Sequence, residues 1–130
     1  MQYLTAEDLL NVHAVIIAET GGSHGVRDPG VLASLELLSQ QTAFGKELYP
    51  GLYIKAAVYA RNIIFNHPFV DGNKRSAMAS MDVFLQLNGY RINAPVGAIE
   101  YFALAIIESR HSLEEIAVWL EANSEAYSHS

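Results

Sequence analysis

The sequence predicts an all-α fold, a bundle of about six helices in one domain spanning residues 1–130. Three observations predict it. Apolar residues recur at helical spacing in successive stretches, helix-capping residues precede several of them, and no convincing strand, repeat or linker interrupts them. A hydrophobic content of 51% in 130 residues is enough to build one sizeable core.

Thr5 can cap a first helix over Ala6 to Glu19, with Glu7 and Asp8 in its electropositive first turn and Leu9, Val12, Ile16 and Ile17 at helical spacing. Gly21 and Gly22 stop it, and the glycine-rich stretch to Pro29 reads as an ordered, irregular loop. Asp28 as N-cap and Pro29 as first residue start a second helix whose apolar face is Leu32, Leu35, Leu37 and Leu38 and which fades near Gln41. Gly45, Pro50 and Gly51 mark residues 42–51 as a connection. From Leu52 to Asn66, Ile54, Val58, Ile63, Ile64 and Phe65 are interspersed with alanines, the pattern of a helix buried nearly all round at the centre of a domain. Ala77, Met81, Phe84 and Leu85 define the next helix, closed by Asn88 and Gly89. Residues 91–95 connect to a helix over Val96 to Arg110 through Ile99, Phe102, Leu104, Ala105 and Ile106. Ser112 and Glu115 form a capping box for a last helix through Ile116, Val118, Trp119 and Leu120, after which residues 123–130 are a polar tail.

Composition excludes several functions. Fourteen acids against eight Lys and Arg give a net charge of −6, and only Lys74 and Arg75 are adjacent cations, which argues against direct nucleic-acid binding. No cysteine is present for disulfides or thiolate metal sites, which suits a cytoplasmic location. The acidic N-terminus does not resemble a signal peptide. The longest apolar run, Tyr101 to Ile107, falls far short of the ~20 residues of a membrane span.

Chemistry concentrates in one stretch, His67-Pro68-Phe69-Val70-Asp71-Gly72-Asn73-Lys74-Arg75, between the two central helices. Pro68 disfavours helix at His67, so the imidazole should sit at a helix exit. Gly72 and Asn73 can open the next helix, whose free N–H groups and dipole favour an anion. In that setting His67 suits a general base, and Asp71 suits a Mg2+ ion held mainly through nucleotide phosphates. Asp71 is also a suitable N-cap of the next helix. Gly72 permits close approach of a phosphate, Asn73 can donate to an oxyanion, and Arg75 can grip phosphate oxygens as a fork. Lys74 either neutralises phosphate or points to solvent. Phe69 is an apolar anchor for the loop.

Other patterns return negatives: there is no Walker A loop, no dinucleotide-binding glycine motif and no His-Glu-x-x-His zinc pattern. For His13, His24, His111 and His129 the default is a surface or capping role.

The nine residues from His67 to Arg75 resemble the signature of the Fic/Doc family, His-x-Phe-x-Asp/Glu-x-Asn-x-Arg, at all five defined positions. The stretch from Gly21 to Gly30 is similar to the region between the first two helices of the death-on-curing (Doc) branch, and the resemblance runs from about Leu4 to Leu120. It implies an all-α enzyme that uses ATP and Mg2+ to modify a hydroxyl of a target protein. AMP-transferring members carry Gly-Asn-Gly-Arg-x-x-Arg, where this chain has Lys74 for the second glycine and Met78 for the second arginine. The Doc branch has lysine at the position of Lys74 and is associated with a reversed nucleotide pose and phosphoryl transfer. The resemblance therefore implies a toxin of a toxin-antitoxin system that phosphorylates elongation factor Tu and inhibits translation. AMP transfer is the alternative reading, favoured by Pro68 and Gly72, and a helical binding module with an inactive loop is the non-enzymatic one. The self-inhibiting helix of some Fic proteins is not found, so a small antitoxin whose tail folds on binding is the expected inhibitor, and residues 42–51 are a candidate target-docking flap.

Overall fold

A helix that is apolar on nearly every face must be surrounded, and this requirement organises the chain. In the computed structural model, which describes residues 1–128, α3 (Leu52–Asn66) lies at the centre. Ala56, Ala57, Val58, Tyr59, Ala60 and Ile63 along it are fully buried. It packs chiefly against α4 (Asn73–Leu87) and α6 (Leu113–Ala122), and also against α2 (Pro29–Leu38) and α5 (Ala98–Ser109), while α1 (Ala6–Thr20) rests on α4 and α2. Buried side chains from all six helices merge into one cluster. Each large aliphatic or aromatic residue in it contributes about 1.5–3 kcal/mol over exposure. Among the described residues no helix is long and apolar enough to cross a membrane.

The helix ends follow from local chemistry. Thr5 and Ser112 form capping boxes with Asp8 and Glu115, and the Asp28 side chain accepts from Gly30 N at 3.1 Å ahead of Pro29. The fourth helix buries Ala77, Met81, Phe84 and Leu85 as their spacing predicts. Elsewhere the periodicity overstates the core: Leu37, Leu104 and Val118 are exposed. The fifth helix begins at Ala98 rather than Val96, after a turn through Pro95 and Gly97.

Four short strands occur among the described residues, where the sequence suggests none. Thr42–Ala43 (β1) and Lys46–Glu47 (β2) form a hairpin inside the expected connection, with Phe44 and Gly45 both at positive φ in its two-residue turn. Tyr90–Ile92 (β3) pairs antiparallel with Ser124–Ala126 (β4), so part of the expected polar tail is folded back, and Arg91 pairs with Glu125 at 2.6 Å. Strands of two or three residues are too short to display an alternating pattern, which is why the sequence conceals them. The hairpin is anchored by Lys55, 1% exposed, whose Nζ reaches Glu47 Oε1 at 3.0 Å and donates to Ser39 O at 2.9 Å. His129 lies outside the described residues.

Candidate active site

Pro68 ends α3 as expected, and His67 becomes its C-cap in the left-handed conformation, φ 46° and ψ 62°. The side chain is exposed at the helix exit. Arg27 fixes this exit from the loop between α1 and α2: its Nε donates to His67 O and its Nη2 to Asn66 O, both at 2.6 Å. The same loop continues along the motif. Arg27 N and Asp28 N donate to Pro68 O, Val70 N donates to Gly25 O, and Val26 forms an isolated antiparallel bridge with Phe69.

Phe69, 1% exposed, anchors the motif in the core. Asn73 clasps its main chain from both sides, accepting from Phe69 N at 3.0 Å and donating to Phe69 O at 2.9 Å. The side chain of Asn73 therefore closes the loop and retains one amide hydrogen for any ligand. Gly72, the N-cap of α4, has φ 75°, and a Cβ there would lie 3.0 Å from Ile17 Cδ1. The positive φ thus already favours glycine, independently of any phosphate, and a side chain here would also press on Ile17. The N-cap carries no side-chain hydrogen bond, and the helix ladder opens with Ser76 N donating to Gly72 O at 2.9 Å, leaving the preceding N–H groups for an anion.

Asp71 does not cap α4 through its first turn. Its Oδ1 accepts from Gly72 N at 2.8 Å and its Oδ2 from Ser23 N at 3.1 Å. These N–H groups, Ser23 first and Gly72 second, hold the carboxyl below the ordinary carboxylate range, with Arg75 adding to the effect. The carboxylate is half exposed and retains lone pairs for a cation. One fixed, ionised, accessible carboxylate fits a Mg2+ ion that takes its other ligands from phosphate and water. Among the described residues no cluster of three acids or imidazoles could hold a metal unaided. Gly22 guards this arrangement, because a Cβ there would come within 2.5 Å of Asp71 Oδ2.

His67, Asp71, Gly72, Asn73, Lys74 and Arg75 line one cleft of about 680 Å³ together with Phe65, Ile107 and Arg110. Arg75 is tied by Nη1 to Thr20 Oγ1 and Gly21 O, and its Nη2 lies 3.9 Å from Asp71 Oδ1. Lys74 is exposed, has no carboxylate within ion-pair distance among the described residues, and lines the cleft. Beyond Lys74 and Arg75 lies a second, mostly apolar groove of about 540 Å³, walled by Ile16, Met78, Ile99, Ala103 and Leu104.

The model of the Fic/DOC family matches residues 3–85, which include the motif from His67 to Arg75 and the α1–α2 loop docked on it. The chain belongs to the Fic/Doc family. Over 93 residues it is 39% identical to "Toxin Doc" of Mycolicibacterium smegmatis, covering 72% of this chain and 69% of that protein. Over 92 residues it is 30% identical to "Protein kinase doc" of Escherichia phage P1, covering 71% of this chain and 72% of that protein. Both relatives place it in the death-on-curing branch of Fic/Doc proteins.

Two residues that position the Fic/Doc motif are missed by sequence reasoning. His13 is no surface residue: it is 4% exposed, stacks on Phe69 at 3.9 Å and 3°, and donates from Nε2 to Asp71 O at 2.8 Å. A signal existed, since His13 falls four residues from both Leu9 and Ile17 on the buried stripe of α1. Arg27 gives no local signal, because its partners lie 39 and 40 residues away.

Proposed function

We propose that the protein is a Doc-type toxin, a protein-modifying transferase that moves the γ-phosphoryl group of ATP to a hydroxyl of elongation factor Tu in the cytoplasm and so inhibits translation. The observation that carries this reading is the exposed His67 imidazole at the exit of α3, on the same cleft as the Asp71 carboxylate and the open N-terminus of α4. The name of the phage relative, a protein kinase, supports phosphoryl transfer over AMP transfer.

In this reading His67 accepts the proton of the target hydroxyl as its oxygen forms a bond to the γ-phosphorus. The bond between that phosphorus and the β,γ-bridging oxygen breaks, and ADP leaves. Asp71 would hold Mg2+, which supplies charge neutralisation to the phosphates when bound. The N–H groups at the start of α4, with Lys74, Arg75 and the remaining amide hydrogen of Asn73, bind phosphate oxygens, and Gly72, without a side chain, permits their close approach. Lys74 and Met78 replace groups that grip the nucleotide for AMP transfer, and this loss favours the reversed pose. A small antitoxin restrains the enzyme by folding its tail into the apolar groove that shares Lys74 and Arg75 with the cleft.

Incubation of the purified protein with elongation factor Tu and ATP labelled at either the α or the γ position tests the reaction. Label is expected on the target from the γ position only, and none with His67→Ala. Retention of α-label would establish AMP transfer instead.

A further inference from the structure

Among the described residues three non-glycine residues have left-handed backbone, Phe44, His67 and Arg110, and two of the three line the candidate active-site cleft. Left-handed backbone disfavours a side chain with a Cβ, and at a helix C-terminus glycine or asparagine is the ordinary occupant. His67 has a reason in the proposed chemistry to be there. Arg110, the C-cap of α5 at φ 47° and ψ 51°, has none in the packing of the fold.

Its surroundings supply one. Arg110 is exposed and has neither a carboxylate within ion-pair distance nor a hydrogen bond to its guanidinium among the described residues. The group is held over the Phe65 ring at 5.1 Å, and Phe65 and Arg110 line the same cleft as the first residues of α4. Met78, at the position of the missing second arginine, lines the apolar groove and does not line the cleft. With Arg110 counted, the cleft lining carries three cations against the single carboxylate of Asp71.

We infer that Arg110 is a nucleotide-binding residue that grips the polyphosphate chain from the C-terminal end of α5, in place of the arginine the motif lacks. The inference rests on the nucleotide reading of the cleft given above. A planar guanidinium braced on an aromatic ring and otherwise unpartnered matches phosphate oxygens as a fork.

Isothermal titration of the full chain with ATP and with AMP, each in the presence of Mg2+, tests it. Arg110→Gly is expected to weaken ATP binding about 10- to 50-fold and AMP binding less than about 3-fold, as fits the loss of charge-assisted bonds to the outer phosphates. Its thermal unfolding midpoint is expected to stay equal or rise, because glycine relaxes the backbone there, which separates lost affinity from lost folding. Arg61 stacks on the same Phe65 at 4.9 Å without lining the cleft, so Arg61→Ala should leave ATP affinity within about twofold if stacking alone is not the cause. Unchanged ATP affinity in Arg110→Gly overturns the inference, and equal loss of ATP and AMP overturns the assignment to the polyphosphate. Failure of the wild-type protein to bind ATP removes the nucleotide reading itself.

Discussion

His13 Nε2 donates to the main-chain carbonyl of Asp71 at 2.8 Å, joining the middle of α1 to the acidic residue of the motif across 58 positions. A carbonyl has no proton to give, so the bond fixes the proton on Nε2. Stacking of the ring on Phe69 fixes its plane.

His13→Leu keeps approximate volume and removes the donor. It should destabilise the fold by about 1–3 kcal/mol, the cost of stranding a partly buried carbonyl. His13→Gln places an N–H near the lost Nε2 and should recover much of that. Thermal unfolding of the three proteins checks it, and equal losses in both variants would show that ring packing alone matters.

Arg27 holds the exit of α3 by two carbonyls, one of them belonging to His67. Without the fork the left-handed turn at His67 loses its clamp, and in the proposed reaction the displaced imidazole lowers the rate by roughly 10- to 100-fold. Label transfer by Arg27→Lys should fall almost as far as by Arg27→Ala, because an ammonium cannot span both oxygens. Nucleotide affinity, measured by titration, should change little in either.

Asp71 links the site to pH. Its carboxyl lies below the ordinary range in the folded chain, so on acidification the unfolded chain takes up a proton before the native one does. The contribution is therefore complete above the unfolded value and is lost as pH falls through the depressed folded value. Unfolding midpoints of the wild type should decline more steeply below about pH 4 than those of Asp71→Asn, which has no proton to gain. Parallel curves would mean that the two N–H bonds do not favour the ionised form.

The helices were legible because their signals are local. Caps at Thr5, Asp28 and Ser112, the proline after His67 and the apolar stripe of α4 each act within a few residues. The motif was legible for the same reason, being nine consecutive residues. What the sequence concealed depends on contact at a distance: Arg27 on the α3 exit, Ser23 N on Asp71, the pairing of Arg91 with Glu125, and Lys55 with Glu47. Asn73 is instructive, since its type suggests an anion donor while its geometry spends most of the side chain on Phe69.

The docking of the α1–α2 loop on the motif also has a consequence for timing. Its bonds span 39 to 54 residues, so they cannot form while the ribosome is still extending the first half of the chain. A nascent chain long enough to display α1, the loop and α2 has yet to be given the turn that they brace. Arg110 emerges later still. A polypeptide cut short before its last two helices thus keeps the nine-residue signature and the loop that braces it but lacks the Ile107 and Arg110 lining of the cleft.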